Sequence, residues 1–354
     1  MTKRERVMAA IKGEEVDKVP ASFWGHNHLA ERSAEALAPY LLEQNRKFDW
    51  DFIKVNLSYT SFVEPWGSKY RFDAEKGPQL EDYPVKNVND LRKLERLDPT
   101  KGMLADQVKV SKYLAEAVKR EVPIVHTIFS PLSVVARLCG GIAKTPTEAS
   151  AVQKFMVENP EGLIEGLQTI TSTLVDYARE VIRAGADGIF FATTVWSGDT
   201  LTKEQFEIFG KPYDLVIYKA AAEEGATFNM SHLCRENIML EDMTAGFPTH
   251  VISYDSLSPR NPSLKEAMSR TDKALCSGVR GATLLNGPVE AISAEVRATL
   301  EATGGRRLIL GPDCVVPPNT PDKHLLAVNK LLESLNLNRS VFVKDKFPNN
   351  VQIM

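Results

Sequence analysis

Several things are scarce or missing in this 354-residue chain. No apolar run approaches the roughly 20 residues that a membrane-spanning helix needs. The opening Met1-Thr2-Lys3-Arg4-Glu5-Arg6 leads into an amphipathic helix, not a signal-peptide core. Lys and Arg never run beyond a pair, and the formal net charge is −3, which argues against nucleic acid or an anionic membrane as a partner. The 4 cysteines are too sparse for a disulfide scaffold, so reduced thiols in a cytoplasmic enzyme are expected. There is no Gly/Ser-rich or Pro-rich linker and no repeat with a period of a few tens of residues.

What remains is a chain that is 43% hydrophobic and long enough for one large core. Thr2 and Glu5 form a capping-box pattern ahead of a helix that Gly13 ends. Eight short apolar runs then alternate with helical stretches. They lie at 21–24, 52–56, 124–126, 188–192, 227–231, 251–254, 282–285 and 308–310. Most are continuously apolar, as parallel strands buried on both faces are. Helices are expected at 160–184, 203–224, 291–302 and 321–335. The pattern predicts an α/β fold: a (β/α)8 TIM barrel in a single domain, 1–354, with the barrel at about 14–335. An elaborated loop after strand two, 57–120, and a short C-terminal extension, 336–354, take up the surplus length. A doubly wound open sheet is the rival, because strand–helix alternation does not distinguish it from a barrel.

In a barrel, chemistry belongs at the C-terminal ends of the strands. Those exits carry His26 and His28, Ser58, His126, His232 with Cys234, Tyr254 with Asp255, Asn286, and Cys314. His232 and Cys234 are spaced i, i+2 and share a side of an extended segment, while Cys314 arrives from the eighth strand. One nitrogen and two sulfurs suit zinc, and three protein ligands leave a fourth position open. The alternative is a buried histidine with two inert thiols. Cys139 and Cys276 read as packing residues on helix faces. His26 and His28 read equally as ligands, proton carriers or substrate donors, or as one core and one solvated histidine. Asp255 reads as a positioning carboxylate or as a helix cap.

Several segments resemble the uroporphyrinogen decarboxylase superfamily. They are Val16-Asp17-Lys18-Val19-Pro20, Ala184-Gly185-Ala186-Asp187-Gly188, His232-Leu233-Cys234, Leu285-Asn286-Gly287-Pro288 and, most specifically, the run from Leu308 to Pro321. The resemblance spans roughly residues 3–335 and implies a (β/α)8 barrel with its pocket at the C-terminal mouth. The superfamily holds decarboxylases and zinc-dependent, corrinoid-linked methyltransferases. Its decarboxylases carry arginines after strand one and an aspartate after strand two. Here those places hold Gly25-His26-Asn27-His28 and Ser58, poorly suited to a tetrapyrrole with many carboxylates. The methyltransferase branch is marked by His-x-Cys and a distant Cys, which His232, Cys234 and Cys314 match.

The resemblance therefore implies methyl transfer between a corrinoid and a small thiol or methylated substrate, with zinc held by His232, Cys234 and Cys314. His126, Asp255 and Asn286 are the expected catalytic, substrate-positioning groups, and His26, His28, Ser58 and Tyr254 the expected substrate-binding groups. No segment carries a corrinoid, so cobalamin is expected from outside, free or on a separate protein; a homo-oligomer is compatible with the sequence. Two other readings compete, a tetrapyrrole decarboxylase and a non-catalytic tetrapyrrole-binding barrel.

Overall fold

In the computed structural model, which describes residues 1–73, 76–141 and 150–342, seven parallel strands form one curled sheet. In spatial order they are β1 (Ile53–Val55), β4 (Ile124–Phe129), β5 (Gly188–Thr193), β6 (Met230–Leu233), β7 (Val251–Tyr254), β8 (Ala274–Val279) and β9 (Leu308–Pro312). A separate antiparallel hairpin, β2 (Lys69–Asp73) with β3 (Gly77–Asp82), rises from the long connection after β1. Every neighbour in the main sheet is parallel and next along the chain within that sheet, so each pair needs a crossover, and helices supply most of the covering layer.

Residues 20–25 bridge the two edges of this sheet. On one side the Ser22 amide donates to the Leu310 carbonyl at 3.0 Å and the Leu310 amide to the Pro20 carbonyl at 2.8 Å. On the other, the Asp51 amide donates to the Ala21 carbonyl at 2.8 Å and Ser22 Oγ to the Phe52 carbonyl at 2.8 Å. A Cβ at Gly25 would lie 2.8 Å from the Val316 carbonyl oxygen, so only glycine lets the two backbones approach there.

Side-chain alternation sorts the core into two compartments. Val125, Phe190, Met230, Val251, Cys276 and Ile309 point into the curl. Ile124, Ile189, Phe191, Ile252 and Leu275 point out to the helices and share an outer cluster with Leu163, Leu167, Ile170 and Leu174 of the helix Pro160–Arg183. The first helix, Lys3–Lys12, has the capping box of Thr2 and Glu5 and ends at Gly13 with φ 73°. Its Val7 joins the inner cluster.

Five sequence expectations change. The run 21–24, expected as the first of eight strands, makes only isolated bridges, Ala21 to Leu310 and Gly25 to Val316, so the main sheet has seven strands among the described residues. The apolar run 282–285 is part of a helix, Gly281–Asn286, and the seventh strand of the sequence count is instead β8. Cys276 thus lies on a strand, fully buried, not on a helix face. The helix expected at 203–224 is two, Lys203–Phe209 and Lys211–Glu223, because Pro212 has no amide hydrogen to continue the ladder across Gly210. The last helix runs Asp322–Phe342 and absorbs the start of the expected extension; 343–354 lie outside the described residues. Among the described residues, no helix is long and apolar enough to cross a membrane.

Candidate metal centre

His232 lies on β6 with its side chain inside the curl, stacked on Phe190 at a centroid distance of 5.2 Å. Parallel register sets it opposite Ser253 of β7. Their contact, His232 Nδ1 to Ser253 Oγ at 3.1 Å, fixes the ring and leaves Nε2 facing the sulfurs. Cys234 sits just past the strand, its amide donating to the Thr193 carbonyl of β5 at 3.2 Å. Cys314 is pinned between the amides of two neighbours. Asp313 donates to the Val279 carbonyl of β8 at 3.0 Å, and Val316 to the Trp24 carbonyl at 2.7 Å.

The three side chains meet. Cys234 Sγ and Cys314 Sγ are 3.6 Å apart, too far for a disulfide, and His232 Nε2 is 3.5 Å from Cys314 Sγ. All three donor atoms lie within 4.8 Å of one another. The contact with Cys314, together with that of His232, holds the Cys234 thiol well below its ordinary value; the same sulfur–sulfur contact raises that of Cys314. The other two thiols share no such contact, and burial alone pushes Cys139 up to about 12 and raises Cys276 as well, which leaves Cys234 as the lowered thiol of the four.

The donors open onto a cavity of about 160 Å³ with aromatic walls that include Trp24, Tyr59, Phe129 and Phe190. Two cations line it, and the sequence reading missed both. Lys54, on β1, points inward with Nζ 4.4 Å from the Phe190 centroid and bonded to Asn56 Oδ1. Burial pushes its pKa down to about 7, against the raising effect of Cys314. Arg137, from the helix Pro131–Leu138, stacks its guanidinium over Tyr59 at 4.1 Å and Phe129 at 5.1 Å. Among the described residues, neither is in an ion pair with a carboxylate. Arg137 Nε, Asn56 Nδ2, Thr194 Oγ1 and Trp24 Nε1 are buried without a hydrogen-bond partner, and all four residues line this cavity. The signal in the sequence was a lysine and an asparagine inside the apolar run Phe52-Ile53-Lys54-Val55-Asn56.

The other expected site residues scatter. His126, fully buried, points out to the helices, bonded to Ser111 Oγ at 2.8 Å and Tyr177 Oη at 2.7 Å; burial lowers its pKa to about 3. Tyr254 also packs outward, against Leu264 and Ala267. Asn286 is exposed at the end of its helix rather than at a strand exit. Asp255 Oδ1 accepts from the Leu257 and Ser258 amides and so caps a turn. Ser58 caps the turn Tyr59–Phe62. His26 does line the cavity, while His28 lines a larger one of about 350 Å³ that shares Trp24, His26 and Lys54 with it. The expectation that His126, Tyr254 and Asn286 border the pocket is therefore corrected by strand alternation and by the displaced seventh strand.

Known proteins share this arrangement of chain. Two curated relatives are methylcobamide:CoM methyltransferases: MtbA of Methanosarcina mazei, 23% identical over 92% of this chain and 95% of its own, and MtaA of Methanosarcina barkeri, 22% identical over 92% and 96%. A uroporphyrinogen decarboxylase of Prochlorococcus marinus is 24% identical over 73% of this chain and 72% of its own. A solved methyltransferase from Methanosarcina mazei superposes with a TM-score of 0.79 at 23% identity, covering 95% of this chain and 99% of that one. The family model described as uroporphyrinogen decarboxylase matches residues 2–335, from the capped first helix into the last helix, Asp322–Phe342, and the chain belongs to that family.

Proposed function

We propose that this protein is a zinc-dependent methyltransferase that moves a methyl group between an externally supplied corrinoid and a small thiol or methylated substrate. The reading counts residues 20–25 as the strand that closes a (β/α)8 barrel. The observation that carries it is the meeting of His232, Cys234 and Cys314 in a cavity where four buried polar atoms, of Trp24, Asn56, Arg137 and Thr194, lack partners. Two relatives whose names give methyl transfer from a methylcobamide to CoM support the same reaction class.

The donor set fits zinc. It offers two sulfurs and one imidazole nitrogen, with the second imidazole nitrogen anchored, and it leaves one position open. Zinc held there supplies Lewis acidity that keeps a substrate thiol deprotonated at neutral pH. The chain's own residues do the rest. Ser253 holds the His232 ring in orientation, and the aromatic walls exclude water from the sulfur. Arg137, together with Lys54 in its protonated form, draws in a substrate with negative charge, such as a short thiol carboxylate. Asn56 Nδ2 and Thr194 Oγ1 offer it hydrogen bonds. Two cations do not match a tetrapyrrole with many carboxylates, so the decarboxylase reading gains nothing from this cavity.

The test pairs metal analysis with turnover. Purified protein is expected to hold zinc and to methylate 3-mercaptopropionate from methylcobalamin. Zinc below about a tenth of an equivalent, with no gain on reconstitution, contradicts the reading.

A further inference from the structure

A second group of metal-ligating side chains stands beside the first, built around the two histidines expected to bind substrate. Glu31 is only 2% exposed, yet among the described residues no lysine or arginine pairs with it. It faces two imidazoles. His26 Nδ1 lies 2.7 Å from Glu31 Oε1, and His28 Nδ1 lies 3.7 Å from Glu31 Oε2. The rings stack at 5.3 Å with 17° between planes, so both present the same nitrogen to the carboxylate.

His28 Nδ1 is buried and makes no hydrogen bond, because 3.7 Å is too long for one. That separation suits something else: two ligands about 2.1 Å from one tetrahedral ion stand about 3.4 Å apart. The three donor atoms lie within 4.8 Å of one another. The site is also held from outside. Gly77 of the β2–β3 hairpin, φ 73°, lies so close that a Cβ there would be 2.7 Å from the His28 ring. Lys54 is the nearby cation that faces Glu31 from β1.

We infer that His26, His28 and Glu31 form a second binding site for a divalent transition-metal ion, distinct from the His232–Cys234–Cys314 centre. Two imidazoles and one carboxylate are a donor set that takes zinc or iron(II) and leaves coordination positions open. His26 lines both cavities, so an ion there sits on the wall between them and presents its open positions to oxygen or nitrogen groups of a ligand.

The test uses the full chain in four forms: wild type, Cys234→Ser/Cys314→Ser, Glu31→Gln and His28→Gln. Each is incubated with excess zinc, desalted and analysed for metal, with circular dichroism to confirm the fold. The expected contents are about two equivalents for wild type and about one for each of the other three. Loading with cobalt(II) tells the sites apart: the thiolate-to-cobalt charge-transfer band persists in Glu31→Gln and His28→Gln and vanishes in the double cysteine variant. Unchanged metal content in both Glu31→Gln and His28→Gln overturns the second site. So does a wild type that holds one equivalent and loses it with the cysteines, a result that leaves the methyl-transfer reading intact. Metal lost only with Glu31 or His28 supports the second site and contradicts the first.

Discussion

His126 and His232 stand two strands apart on one sheet and have opposite fates. His232 shares its face with Met230 and looks into the curl, where two thiols meet it. His126 shares its face with Ile124 and Ile128 and looks out into the helices, both nitrogens taken by Ser111 and Tyr177. One residue of register separates a candidate ligand from a structural histidine. The cysteines repeat the lesson: Cys276 and Cys139 are inert in apolar packing, whereas the contact between Cys234 and Cys314 lowers the pKa of the first and raises that of the second at the edge of a cavity.

The contrast predicts separable effects. The largest is expected at the inner site, where Cys314→Ala should lower methyl transfer by about 1000-fold or more while the melting curve stays cooperative. Near-wild-type turnover removes Cys314 from the centre. At the outer site, His126→Asn should leave zinc content intact but cost about 2 kcal/mol of stability, because Tyr177 or Ser111 loses a buried partner. Urea unfolding checks this, and loss of zinc in that variant breaks the comparison.

The same histidine gives a pH signature. Its pKa is about 3 when folded against about 6.5 when unfolded, so the unfolded chain takes up a proton that the native state refuses. The stability contribution is complete above about pH 6.5 and is lost as pH falls toward 3. Urea midpoints at pH 7.5 and 5 should differ more in wild type than in His126→Asn.

Two smaller effects concern the cavity. Arg137→Met should raise KM for 3-mercaptopropionate about 10-fold or more and leave KM for uncharged 2-mercaptoethanol nearly unchanged. Equal effects on both thiols remove Arg137 from anion recognition. Ser253→Ala frees His232 Nδ1 and should weaken zinc binding about 10-fold in a chelator competition.

These regions differ in how far the sequence reveals them. The capped first helix and strands such as β5, β7 and β9 were legible, because their apolar runs are continuous and their breaks are turn residues. β8 was not: Ala274-Leu275-Cys276-Ser277-Gly278-Val279 is made of small residues that fit between two neighbours without a strong strand preference. The nearby Ala282-Thr283-Leu284-Leu285 looked more strand-like yet forms a helical turn, which displaced Asn286. The i, i+2 spacing placed His232 and Cys234 together, but no spacing reveals which way His126 faces. Lys54, Arg137 and Glu31 went unread because each is a charge whose meaning depends on what folds over it.

The most direct test of the central claim is zinc X-ray absorption on the Glu31→Gln variant, in which only the inner centre is expected to be loaded. The account predicts two sulfurs at about 2.3 Å and one nitrogen at about 2.0 Å, with a third sulfur joining when 3-mercaptopropionate is added. A shell of nitrogen and oxygen alone, or no bound zinc, contradicts it.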